Sequence, residues 1–237
     1  MKALILFLLP ITLFSQDNYK VEYEKRNFIK LDGKNPEYRL MEEQFSQPSY
    51  LELLGNQNKC SLKQLDYINN SQGPTTQMTI VGAEKDLETY FDFIKNEMIV
   101  SKDLDGKLFL ISSKPDIKNW KITRETKKVS GFNAKKATLE QDGFLYEVWF
   151  SPEIKSKCGP DEIFGLPGLV LETKISHIEK PENYRQYKLN QLAIDKNLQF
   201  LVPTKGKPIS AEEFKKFRAE YDKRLKETYG NNSFDKD

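Results

Sequence analysis

Few side chains in this sequence have both the type and the company that catalysis needs. His177 is the single histidine in 237 residues. A multi-histidine zinc site is therefore excluded, and a Ser-His-acid relay would have to be built on that one imidazole. No Gly-x-Ser-x-Gly elbow, phosphate-binding glycine loop or Cys-x-x-Cys pair is written in the chain. Carboxylates stand together at Asp161-Glu162 and again at Glu172. In one cleft they could relay a proton or hold a cation; apart, they are loop and strand-edge charges. Cys158 follows Lys157 and is a candidate nucleophile if that lysine lowers its pKa. The competing state is a disulfide to Cys60, the other cysteine, which needs the two Cα atoms within about 7 Å. The sequence leaves both states open. No catalytic residue, metal ligand or cofactor is assigned.

Placement of the chain is better marked. Lys2 precedes an unbroken apolar run over residues 3–14, followed by Ser15 and Gln16, which is the pattern of a secretory signal peptide cut after Ser15. The run is too short to cross about 30 Å of hydrocarbon and no stop-transfer segment follows, so the chain is not expected to span a membrane. Neither cysteine would follow the cut, so no lipid anchor is expected there. The expected location is the periplasm, with release to the medium as the alternative, and export permits a disulfide. Lys and Arg number 37 against 35 Asp and Glu, for a net charge of +2. They are scattered rather than striped, so no nucleic-acid partner is expected. One β-rich domain is expected over residues 16–230, with a flexible polar tail over 231–237.

The elements that would hold any site read mainly as strands. Asp-Gly, the mark of a type I′ hairpin, occurs at Asp32-Gly33, Asp105-Gly106 and Asp142-Gly143, each beside an apolar or alternating run. Further strands are expected over residues 19–23, 38–45, 77–81, 89–94, 120–124, 169–175 and 184–194. In the third hairpin Phe144, Tyr146, Val148 and Phe150 share one face, while Leu145, Glu147 and Trp149 share the other. Large apolar groups on both faces place that strand between two apolar layers, such as a core and a covering helix or a lined cavity. Near the C-terminus, Ser210 and Glu213 form a capping box, Phe214, Phe217, Tyr221 and Leu225 recur at helical spacing, and Gly230 is a stop. The fold class is mainly β (α+β): a large curved antiparallel sheet or partial β-barrel with a C-terminal helix packed on it.

The most distinctive stretch runs from Cys158-Gly159-Pro160 through Phe164-Gly165-Leu166-Pro167-Gly168-Leu169-Val170 to Glu172. It resembles the GLPGLI family, with Val170 in place of the final Ile. The resemblance takes in Trp120-Lys121-Ile122-Thr123, Lys128-Val129-Ser130-Gly131-Phe132, Lys135-Lys136-Ala137-Thr138 and Trp149-Phe150-Ser151-Pro152-Glu153-Ile154. It is most specific between Trp120 and Glu172. The chain departs from the family pattern at Asn133-Ala134, where members often carry a cysteine, and at Cys158, which is not a motif residue. The resemblance implies an exported envelope protein of Gram-negative bacteria and brings no catalytic residues with it.

In physical terms, Pro167 and Gly168 fit the two corners of a type II turn over residues 166–169. Such a turn serves either as a tight corner pinned into the core or as the apolar lip of a cavity or docking patch. Binding residues are therefore expected among Phe164, Gly165, Leu166, Pro167, Gly168 and Leu169, with Trp149 as a cavity-lining side chain. The leading functional expectation is non-enzymatic binding or carriage of an apolar, lipid-like small molecule in the envelope. The alternatives are a module that docks another envelope protein through the motif loop, and a hydrolase using the carboxylates or Cys158.

Overall fold

The computed structural model describes residues 18–31, 36–65, 84–161 and 163–229. The elements run β1 (Tyr19–Phe28), α1 (Pro36–Phe45), β2 (Ser49–Gly55), β3 (Lys59–Leu65), β4 (Glu84–Asp92), β5 (Glu97–Leu104) and β6 (Lys107–Ser113). They continue with β7 (Lys121–Val129), β8 (Phe132–Gln141), β9 (Phe144–Ser151), β10 (Leu169–His177), β11 (Tyr184–Ile194), β12 (Lys207–Ser210) and α2 (Ala211–Tyr229). The strands form one open sheet ordered β12-β6-β5-β4-β3-β2-β1-β11-β10-β9-β8-β7. Only the β12–β6 pair is parallel among the described residues. Two meanders, β1 to β6 and β7 to β11, are thus zipped together where β1 pairs with β11 from Tyr19↔Ile194 to Phe28↔Tyr184.

The link between the meanders forces the sheet to curl. In a flat sheet, β6 and β7 would lie about 48 Å apart across ten strand spacings, yet only residues 114–120 join them, and the eight steps from Ser113 to Lys121 reach about 28 Å at most. The two halves therefore turn toward each other over one concave face. Tyr19, Val21, Leu53, Cys60 and Phe91 from one half, and Ala137, Val148, Phe150 and Ile175 from the other, share a single buried core.

Local chemistry explains most of the elements. Asp105-Gly106 and Asp142-Gly143 both take positive φ throughout (53° and 78°, 51° and 80°), as type I′ turns demand. Ser130-Gly131 makes the same turn (49° and 87°) between β7 and β8, an assignment the sequence reading lacks because serine is a weaker signal than aspartate. Asp32-Gly33 and the expected strand at 77–81 lie outside the described residues. β1 reaches β2 through α1, so residues 38–45 are helix, not the strand expected. Pro36 suits the first helical position, Glu37 the first turn, and the following Arg, Leu, Met, Glu and Gln favour helix without β-branching. Strands β2 and β3 are additional to those expected.

The C-terminal helix starts as its capping box requires. Ser210 N–H donates to Glu213 Oε2 (3.0 Å), and Glu213 N–H donates to Ser210 Oγ (3.2 Å). Phe214 and Phe217 pack on Phe109 of β6, with ring centres 5.2 and 5.0 Å away. With Val100, Leu104 and Ile111 they form a small second core. Cross-strand register puts Val100 opposite Thr89, and Thr89 opposite Leu62, so α2 covers the concave side at one end. No described helix is long and apolar enough to cross a membrane.

Candidate functional site

Most of the concave space is filled by the connection between β9 and β10. Residues 152–161 and 163–168 fold inward instead of looping out, and Ile163, Phe164 and Leu166 are each about 1% exposed. Cys158 is joined to Cys60 of β3, which ties this segment to the opposite half of the sheet. Tyr19 donates a hydrogen bond to Ser156 Oγ, Tyr23 donates to the Val170 carbonyl (2.6 Å), and Trp120 Nε1 donates to the Phe164 carbonyl (2.7 Å). Phe164 lies against Phe91 of β4, ring centres 4.2 Å apart. Burial pushes the Tyr19 and Tyr23 phenols up, Tyr23 further by its proximity to Tyr19.

The motif's glycines serve this inward fold, with a correction to the expected turn. Gly165, not Gly168, occupies the left-handed region (φ 83°). Gly168 is held to glycine by space, because a Cβ there would collide with the Ser151 backbone. Phe164, Leu166 and Leu169 are buried and Pro167 is exposed, so the motif offers little apolar surface for docking.

Where the plug stops, a cavity of about 440 Å³ remains between the two halves, within the usual range of about 300–1,000 Å³ for small-molecule sites. Leu51, Leu62 and Phe91 give it an apolar floor, and Tyr146 adds an aromatic wall. Its polar side is built where β1 meets β11: Lys25 stands opposite Tyr187, and Asn27 opposite Arg185. Arg185 ion-pairs with Asp161 of the plug (2.8 Å), while its Nε is buried without a hydrogen-bond partner. Lys25 Nζ lies 5.8 Å from the centre of the Tyr187 ring. Burial, then the Arg185 charge, holds the Lys25 ammonium below the ordinary lysine value, partly offset by Asp161 and Asp86. The Tyr187 phenol is pushed well up, first by burial and then by the Asp161 charge. Across the cavity, a bulge in β4 between Asp86 and Glu88 accompanies the Asp86–Lys102 ion pair (3.1 Å).

Other candidate residues lie elsewhere. Trp149 is on the opposite face of β9 from Tyr146, Val148 and Phe150, and it does not line the cavity. The second apolar layer expected over that face is not a helix: Lys127 Nζ sits 4.3 Å above the indole and Lys136 Nζ 6.0 Å away. Their charges are paired with Glu172 (2.7 Å) and Glu147 (2.8 Å), so lysine stems cover the ring while their heads stay wet. Glu172 is therefore remote from Asp161 in role and face, Cys158 has no thiol to offer, and Glu162 lies outside the described residues. His177 ends β10 edge-on to Phe144, with Nδ1 accepting the Glu179 N–H (3.2 Å). Among the described residues, no three His, Cys, Asp or Glu side chains gather as a metal site. Lys25, Arg185 and Tyr187 went unremarked in the sequence because their alternating polar strands look like ordinary solvated edges.

No protein-family model matches the chain, and no curated protein matches it. Among solved structures, two of PNGF-II in different space groups share the fold: TM-score 0.55 at 20% identity and TM-score 0.52 at 18% identity. Each covers 86% of this chain, and the chain spans about a third of the length of PNGF-II (33% and 34%). At such identity the likeness is one of fold.

Proposed function

We propose that this chain is an exported, periplasmic protein of the GLPGLI family that binds a small amphiphilic molecule without transforming it. Export and family rest on the N-terminal apolar run and on the motif residues. The binding reading is carried by the cavity: a hollow of about 440 Å³ left between two otherwise well-filled halves of a curled sheet. The hollow is a partly open cleft in which an apolar floor meets convergent charged side chains, the make-up of a small-molecule site. The apolar character expected of the ligand is kept only at the floor of Leu51, Leu62 and Phe91. The charged rim favours an amphiphile over a purely apolar chain.

The test is native mass spectrometry of the protein taken from its own envelope, followed by organic extraction. A stoichiometric small molecule that is absent from Gln64→Trp, which fills the cavity from its rim, is the expected result. A clean apo mass in both proteins, together with no small molecule in the extract, would count against the reading.

A further inference from the structure

Building on that binding reading, we propose that the ligand carries an oxyanion group, a carboxylate or a phosphate monoester, seated between the Lys25 ammonium and the Arg185 guanidinium. Among the described residues, six basic side chains line the cavity against two carboxylates, Asp86 and Asp161. Both carboxylates are already engaged, Asp86 with Lys102 at 3.1 Å and Asp161 with Arg185 at 2.8 Å. Among the described lining residues, four basic side chains remain beyond these two pairs.

Lys25 is the sharpest instance. It is half-buried on β1, and its ammonium makes neither an ion pair nor a hydrogen bond with any described residue. It lies over the face of Tyr187, 5.8 Å from the ring centre. The β1–β11 register sets it diagonally across from Arg185, and Asp161, which ion-pairs with Arg185, is a single carboxylate between two partly buried cations. Arg185 contributes the complementary half. One of its terminal nitrogens is on Asp161, but Nε is buried and unpartnered, which leaves a donor edge of the guanidinium unsatisfied. Planar guanidinium donors and an ammonium together match the several acceptor oxygens of a carboxylate or phosphate. The apolar floor beneath would take the attached chain or ring. The bland alternative is a lysine that merely snorkels to water along its stem; it predicts no preference for anions.

The experiment titrates the purified protein at neutral pH with octanoate, octyl phosphate and 1-octanol, following cavity resonances by NMR and heat by calorimetry. The acids are expected to bind at least about tenfold tighter than the alcohol. That preference should fall by about tenfold or more in Lys25→Met, while the Tm of the free protein holds or rises, because an uncompensated cation has gone. Lys25→Gln serves if the methionine variant folds poorly. Tighter binding of octanoate would assign a carboxylate, and tighter binding of octyl phosphate a phosphate. Equal binding of alcohol and acids overturns the oxyanion while leaving the ligand-binding reading intact. A preference that survives both Lys25 variants overturns this seat for it. Silence of the cavity resonances with all three probes overturns the oxyanion and the cavity reading together.

Discussion

The concave face has two regions built to opposite ends. Around the disulfide the space is filled: Phe164 lies on Phe91, and the Tyr19, Tyr23 and Trp120 donors all find acceptors in or beside the 152–168 segment. Around Lys25 the same sheet is hollow, basic side chains outnumber acids, and Arg185 Nε is unpartnered. The first arrangement stabilises the chain. The second concentrates like charges, which lowers its stability. Substitutions in the two regions should therefore have opposite signs.

The largest effect is expected from alkaline pH. Tyr19, Tyr23 and Tyr187 all have phenols raised by burial above the ordinary value of 10.0. Their contribution is fully present below pH 10 and is lost above it, as the unfolded chain ionises first. Three buried phenols acting together make this the largest loss of stability expected of the protein. The tyrosinate absorbance of Tyr19, Tyr23 and Tyr187 should thus appear together with the loss of circular dichroism in one cooperative step, read against variants that carry phenylalanine at these positions. Ionisation of these three well before the fold is lost would contradict it.

Next in size is the Cys60–Cys158 link, which closes a sequence separation of 98 residues. Replacing both cysteines by serine should lower unfolding free energy by about 4–5 kcal/mol on chain-entropy grounds, read from denaturant midpoints. Phe164→Ala empties the centre of the plug and should cost about 3–4 kcal/mol by the same measurement. Ser210→Ala, which removes the cap of α2 far from either region, should cost about 1 kcal/mol.

The smallest expected effect has the opposite sign. Lys25→Met should hold or raise stability. The depressed Lys25 pKa means that the wild-type protein gains stability as pH climbs from that depressed value toward 10.5, so the gap between variant and wild type should narrow there. A variant less stable than wild type at neutral pH would remove the contrast between the regions.

What the sequence made legible follows from how local each signal is. The Ser210–Glu213 box, the two Asp-Gly turns and the bounds of β11 depend on neighbours within a few residues, and they stand where expected. Residues 38–45 misled because Tyr38 and Leu40 also fit a strand period, whereas Pro36 and the glutamates decide for helix. Strands β2 and β3 were hidden because Ser49–Gly55 and Lys59–Leu65 are short and mixed in polarity. The motif was visible as a unit, but its inward direction depends on Ser151, Trp120 and Tyr23, all outside it. The cavity was the least legible part. Lys25, Asp86, Asp161 and Arg185 come from four separate segments: the β1–β11 pairing joins Lys25 to Arg185, and the inward fold of the 152–161 segment brings Asp161 to Arg185.

That curl rests on β1 lying between β2 and β11, with a consequence for how the protein comes into being. When the chain emerges N-terminus first, β1 can recruit β2, but its other edge stays bare until Tyr184–Ile194 has been made. Such long-range pairing is slow, and a bare strand edge invites the wrong partner in the meantime. The late arrival of one strand thus makes a holding factor at the exit site most useful during the interval before β11 docks.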